Sequence, residues 1–200
     1  KTSVFLSEAI TLEAISAIDE SLKNEKPFFL YMSHYAVHSP FNSDPRFADN
    51  YKHSTKPKNA QAYATLIEGI DKSLGDLMDH VTSKGEAENT LILFVGDNGS
   101  DAPLGPVHGY SSSFPLRGKK ATCYEGGMRV PFIAGWAKTS NKNMFPIASN
   151  SLHTDQIGTI MDIYSTILEI SGTKNPANHV VDGVSLLKQF SGESNPDRSD

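Results

Sequence analysis

Apolar residues at Leu12, Ile15, Ile18 and Leu22 recur at helical spacing behind Thr11, a residue suited to cap a helix, and predict an amphipathic helix over 11–24. Pro27 then introduces Phe28-Phe29-Leu30-Tyr31-Met32, an apolar run of strand length without alternation, as expected for a strand covered on both faces. A loop follows over 33–45. From 59 to 83, Tyr63, Leu66, Ile67, Ile70, Leu74, Leu77, Met78 and Val81 keep a helical period that Gly85 stops, which predicts the longest helix, packed flat on a sheet. Leu91-Ile92-Leu93-Phe94-Val95 reads as a second buried strand. A third spans 130–136, where Pro131 suits an edge position or a strand start. A helical pattern over 157–170 is closed by Gly172, and a short element covers 180–190. Strands alternating with helices in this way predict an α/β fold, a parallel or mixed sheet with helices on both faces.

Composition narrows this picture. Two hundred residues with 38% hydrophobic and 20% charged content can bury one core, assigned to residues 1–190, with the polar stretch 191–200 as a frayed tail or linker. The net charge of −5 gives no general attraction to nucleic acid. Arg117, Lys119 and Lys120 form too short a basic cluster to change that, and suit a small anion instead. No run approaches the roughly 20 apolar residues of a membrane span. Cys123 is the single cysteine, so an internal disulfide is excluded.

Chemistry gathers where predicted strands end. Gly96-Asp97-Asn98-Gly99 places a carboxylate and an amide oxygen directly after a strand, the position at which open α/β sheets hold their ligands. Both are hard oxygen donors suited to Ca²⁺ or Mg²⁺. The same tetrapeptide is also a common turn, but the polar stretch 100–114 lacks the alternating strand that would complete a hairpin. The loop after the first strand carries His34 and His38; the third region carries Arg117, Lys119, Lys120 and Glu125. Each of these groups, standing alone, also fits a solvated surface position. Together, a hard cation, a histidine and a lysine suit a tetrahedral anion, because metal and ammonium offset its charge while histidine handles protons.

These residues carry a family resemblance. The stretch from Pro27-Phe28-Phe29-Leu30-Tyr31 through His38-Ser39-Pro40, the Gly96-Asp97-Asn98-Gly99 tetrapeptide, and above all Pro115-Leu116-Arg117-Gly118-Lys119-Lys120-Ala121-Thr122-Cys123-Tyr124-Glu125-Gly126-Gly127-Met128-Arg129-Val130-Pro131-Phe132 resemble the sulfatase family. Asp162-Ile163-Tyr164-Ser165-Thr166 and Val181-Asp182-Gly183-Val184-Ser185-Leu186-Leu187 extend the likeness. It implies the three-layer sandwich of the alkaline phosphatase superfamily, with a mostly parallel sheet, represented here incompletely. It further implies a sulfuric ester hydrolase in which Asp97 and Asn98 ligate one Ca²⁺, ahead of Mg²⁺, with Asp97 also close to the reacting atoms. His38 and Lys120 would contact the sulfate and leaving-group oxygens, Lys119 being the second choice of lysine. His108 is read as a substrate contact only, and His34 as structural. Cys123, Glu125, Gly126 and Gly127 are read as structural, the cysteine behaving as a small hydrophobe. The amide of Asn98 suits one hard cation, whereas the related two-metal phosphatases carry histidine there, so sulfate is favoured over phosphate.

The resemblance also marks departures. The family makes its formylglycine nucleophile from a Cys/Ser-x-Pro-x-Arg motif near the N-terminus. The segment that spells the pattern here, Ser194-Asn195-Pro196-Asp197-Arg198, follows the matched C-terminal stretches and is rejected. The chain also contains no Asp-Asp pair to supply the family's acidic metal ligands. The expectation is the latter part of a sulfatase catalytic domain, with the formylglycine in the missing N-terminal part. Alone it should be inactive, bind Ca²⁺ weakly, and tend to dimerise through an exposed sheet edge. Substrates would be small-molecule or saccharide sulfate esters. The compartment would be periplasmic, secreted or lysosomal. The rival readings are a phosphoester or phosphonate hydrolase of the same superfamily and a catalytically inactive interaction module.

Overall fold

The computed structural model describes residues 4–102, 113–149, 152 and 156–194. They form two compact units, Lys1–Glu86 with Asp97–Val130, and Ala87–Gly96 with Pro131–Asp200.

The first unit is built on two packed helices, α1 (Leu6–Lys23) and α2 (Lys58–Ser83). Helix α2 and its Gly85 stop are found as predicted, Gly85 taking a φ of +79°, but of the predicted apolar stripe only Leu66 and Val81 are buried, and Ile67 is 49% exposed. Helix α1 starts a turn earlier than predicted, and Thr11 is not its cap. Thr11 lies buried inside the helix and donates its hydroxyl to the Ser7 carbonyl at 2.7 Å. The buried face of α1 is Ser7, Thr11, Ala14 and Ile18, rotated from the predicted stripe, and Leu12 is 53% exposed. On α2 the buried positions include Ala62, Thr65, Gly69 and Ser73. Small residues at matching turns let the two helix backbones approach, and their hydroxyls find partners across the seam, Thr11 Oγ1 and Ser73 Oγ lying 2.6 Å apart.

The apolar run 28–32 belongs to no helix or sheet among the described residues, and Phe29 and Tyr31 are 67% and 72% exposed. This departs from the doubly covered strand expected there. Strand-like composition identifies a segment able to pair but does not supply its partner. The loop after it carries the fully buried Asp44, whose carboxylate accepts from Arg46 Nε and Nη2, while its own N–H donates to Thr65 Oγ1.

In the second unit, β1 (Leu91–Val95) pairs antiparallel with β2 (Phe132–Trp136), in register from Leu91↔Trp136 to Val95↔Phe132. The described residues therefore hold a two-stranded antiparallel sheet rather than the expected mostly parallel one. Pro131 stands just before β2, as its missing N–H demands, and its carbonyl accepts from Gly96 N–H at 3.0 Å. Helix α4 (Asp162–Ser171) ends on Gly172 at φ +63°; it begins later than predicted, leaving Ile157 and Ile160 exposed. Fully buried Asp162 accepts from Thr159 and from the Val184 N–H. Helix α5 (Leu187–Phe190) lies beside a core that includes Trp136, Leu186 and Phe190. No described helix is long and apolar enough to cross a membrane.

Candidate active site

Asp97, Asn98, Lys120 and His38 all lie in the first unit. The backbone ties two of their loops together. Gly99 donates its N–H to the Gly127 carbonyl at 2.9 Å, and Lys120 donates its N–H to the Ser100 carbonyl at 3.1 Å. The loop 116–124 closes on the short helix α3 (Glu125–Met128) through Gly126 N–H to the Arg117 carbonyl, 2.7 Å, and Gly127 N–H to the Tyr124 carbonyl, 2.8 Å. Close approach explains the glycines. A Cβ on Gly99 would overlap the Gly126 carbonyl oxygen, and one on Gly126 would overlap that of Gly118. The Gly-Asp-Asn-Gly loop and the lysine loop are thus interlocked, backbone against backbone.

The histidine loop reaches the same place through an aromatic residue of α2. Phe41, three residues past His38, packs edge-on against Tyr63 with ring centroids 5.6 Å apart, and the Tyr63 hydroxyl lies 3.2 Å from Ser100 Oγ. In the sequence Tyr63 counts only as a member of an apolar stripe, and its hydroxyl is the signal that one end of the side chain needs a polar partner.

Side-chain bonding separates the candidates. Arg117 stacks its guanidinium 3.8 Å from the Tyr124 ring centre and donates to the Tyr124 hydroxyl, while Lys119 pairs with Asp101 at 3.2 Å. Lys120, half-buried, makes no ion pair among the described residues. Asn98 commits its amide nitrogen to the Gly99 carbonyl at 3.0 Å, so Oδ1 is left to accept or ligate. His38 is exposed, and its Nδ1 lies 2.7 Å from the Ser39 carbonyl oxygen. A carbonyl only accepts, so Nδ1 carries the proton and Nε2 is the atom available for chemistry.

Asp97 and Asn98 have the donor chemistry of a hard-cation site, two oxygens of the six to eight that Ca²⁺ usually takes. Among the described residues no group of three or more His, Cys, Asp or Glu side chains forms a complete metal cage. His34 is held away from this chemistry, with Nε2 3.2 Å from Ser73 Oγ, and burial pushes its pKa below the ordinary histidine value. Cys123, read as structural and behaving as a small hydrophobe, is exposed. His108 lies outside the described residues.

A family model described as Sulfatase matches residues 5–173 of this chain. The chain belongs to the sulfatase family. Among curated sulfatases it is 33% identical to the N-acetylgalactosamine-6-sulfatase of Mus musculus over 182 residues, covering 91% of this chain and 32% of the relative. It is 32% identical to a sulfatase of Formosa agariphila over 206 residues, covering 96% and 35%. Two solved structures share its fold. Ps i-CgsB, in complex with k-i-k-neocarrahexaose, superposes with a TM-score of 0.78 at 27% identity, covering 98% of this chain and 40% of that one. The PsFucS1 sulfatase from Pseudoalteromonas sp. gives 0.71 at 28% identity, covering 94% and 35%. The chain spans about a third of the length of these curated sulfatases.

Proposed function

We propose that this chain carries the cation-ligating and sulfate-contacting half of a sulfuric ester hydrolase, whose parent cleaves sulfate esters with Ca²⁺ and a formylglycine nucleophile supplied by the rest of the protein. The observation that carries this reading is the interlock of the Asp97-Asn98 loop with the Lys120 loop, with Tyr63 joining them to the loop of His38.

Asp97 Oδ and Asn98 Oδ1 are the ligands this chain offers. When bound, a divalent cation supplies positive charge that polarises the sulfate group and offsets the charge of the transferring oxygens. Lys120 adds an ammonium with three donors for sulfate oxygens. His38, fixed by its bond to the Ser39 carbonyl, presents Nε2 to the leaving oxygen, accepting a hydrogen bond when neutral and donating a proton when charged. The incomplete oxygen set of Asp97 and Asn98 requires further ligands from the parent.

For the substrate class we favour a sulfated saccharide. Two similar proteins point there by name, an N-acetylgalactosamine-6-sulfatase and a structure holding a neocarrahexaose. The same family reading makes the parent an exported or lysosomal enzyme with the three-layer, mostly parallel α/β sandwich. The test is a side-by-side assay of the full-length parent on an aryl sulfate, an aryl phosphate and a 6-sulfated amino sugar. Sulfate turnover that disappears in Asp97→Ala supports the proposal. Faster phosphate turnover replaces it with a phosphoester hydrolase, and an inert parent with an interaction module.

A further inference from the structure

Nδ1 of His34 is, among the described residues, the buried side-chain nitrogen or oxygen that has no hydrogen-bond partner. Its ring is nonetheless oriented by a chain of hydroxyls whose direction can be worked out. Thr11 spends its only hydroxyl proton on the Ser7 carbonyl at 2.7 Å. Ser73 must therefore donate to Thr11 across the 2.6 Å contact. With its own proton spent, Ser73 Oγ can only accept from His34 Nε2, 3.2 Å away. His34 is held as the Nε2–H tautomer, its bare Nδ1 in a place that offers no acceptor for a second proton.

The loop that His34 opens is pinned to α2 a second time. At its far end Asp44 N–H donates to Thr65 Oγ1 at 2.9 Å, and Arg46 holds the Asp44 carboxylate while reaching Ser7 of α1 at 3.1 Å. Ser73 and Thr65 stand on one helix, about 12 Å apart at 1.5 Å rise per residue. Between these two anchors His38 donates its N–H to the Tyr35 carbonyl at 3.0 Å, and the Tyr35 hydroxyl returns to the Ser39 carbonyl at 3.0 Å. The turn that exposes His38 is therefore internally closed and suspended from both ends.

We propose that His34 is a positioning residue for His38: its Nε2–H bond to Ser73 fixes the leading anchor of the loop and so the place where the His38 imidazole is presented. This rests on the assignment of His38 to the sulfate site. Loss of the anchor lets the His38 turn shift while leaving its chemistry intact, so the effect belongs to turnover. Glutamine carries an amide N–H that reaches as far as Nε2 and restores the bond to Ser73.

The test uses the full-length parent, with aryl sulfate hydrolysis and thermal midpoints measured for His34→Ala, His34→Gln, Ser73→Ala and His38→Ala. His34→Ala is expected to lower kcat by roughly 10- to 100-fold, Ser73→Ala to lower it in the same direction, and His34→Gln to recover most of the rate. Native turnover in both His34→Ala and Ser73→Ala, or a His34→Gln protein that folds but is as slow as His34→Ala, overturns the proposal. Should His34→Ala not fold, the milder Ser73→Ala and the glutamine variant decide it. An inert His38→Ala beside fully active His34 and Ser73 variants defeats this proposal alone. A fully active His38→Ala defeats the site assignment as well.

Discussion

Gly99 gives its N–H to the carbonyl of Gly127, and a methyl group on Gly99 would overlap the neighbouring carbonyl of Gly126. Gly99→Ala must push the Asp97-Asn98 loop off the lysine loop or strain both. Overpacking of this kind costs about 1–3 kcal/mol, to be read as a lower urea midpoint. Because the interlock also sets Asp97 relative to Lys120, sulfate hydrolysis by the parent should fall much further than stability. Native rate together with native midpoint would mean that the two loops are held by something else.

A second expectation concerns Asp44, which is fully buried and holds Arg46 through Nε and Nη2. Bonding to Asp44 raises the Arg46 pKa above its ordinary value, so the guanidinium keeps its charge across the working range. Asp44→Ala leaves the guanidinium only Glu8 at 3.4 Å and the Ser7 hydroxyl at 3.1 Å, and removes the acceptor for the Arg46 N–H. Breaking a buried pair costs about 3–5 kcal/mol, and the lower end applies because the Arg46 side chain keeps 23% of its surface exposed. Urea unfolding of Asp44→Ala measures this; a loss below about 1 kcal/mol, the size of an exposed pair, would contradict it.

Much of this was legible in the sequence. The bounds of α2 follow from an apolar period broken by Gly85, and the loops holding Asp97, Asn98 and Lys120 follow from what trails the apolar runs. The pairing of β1 was not legible, because an unbroken apolar run reports that a strand is covered but not the direction of its neighbour. The face of α1 was misread for a related reason. Ser7 and Thr11 continue the buried line of Ala14 and Ile18, yet count as polar until Ser73 is known to stand opposite. The His34 anchor was hidden likewise, since a loop histidine shows its burial only when the helix behind it is in place.

Half-buried His34 sets a pH dependence. Burial holds its pKa below the ordinary value, so around and below about pH 6.5 the unfolded chain binds a proton that the folded protein refuses. Stability contributed by neutral His34 is therefore complete above that range and is lost as the pH falls through it. Urea midpoints followed from about pH 8 down to about pH 5 should decline in the native protein and decline less in His34→Gln, which cannot titrate. Parallel curves for the two proteins would assign the decline to other groups.

Removal of the cation separates the donors of this chain from those of the parent. In the parent, chelation should abolish sulfate hydrolysis, Ca²⁺ should restore it more fully than Mg²⁺, and Asp97→Ala should cost at least about 100-fold, since the lost charge stabilisation is worth several kcal/mol. The 200-residue chain alone has Asp97 and Asn98 for a cation that takes about six to eight oxygens. Calorimetry on it should show binding weaker than micromolar, with no turnover of aryl sulfate. Micromolar affinity in the isolated chain would require ligands beyond these two within it, and the incomplete-site reading would fail even if the parent proved to be a sulfatase.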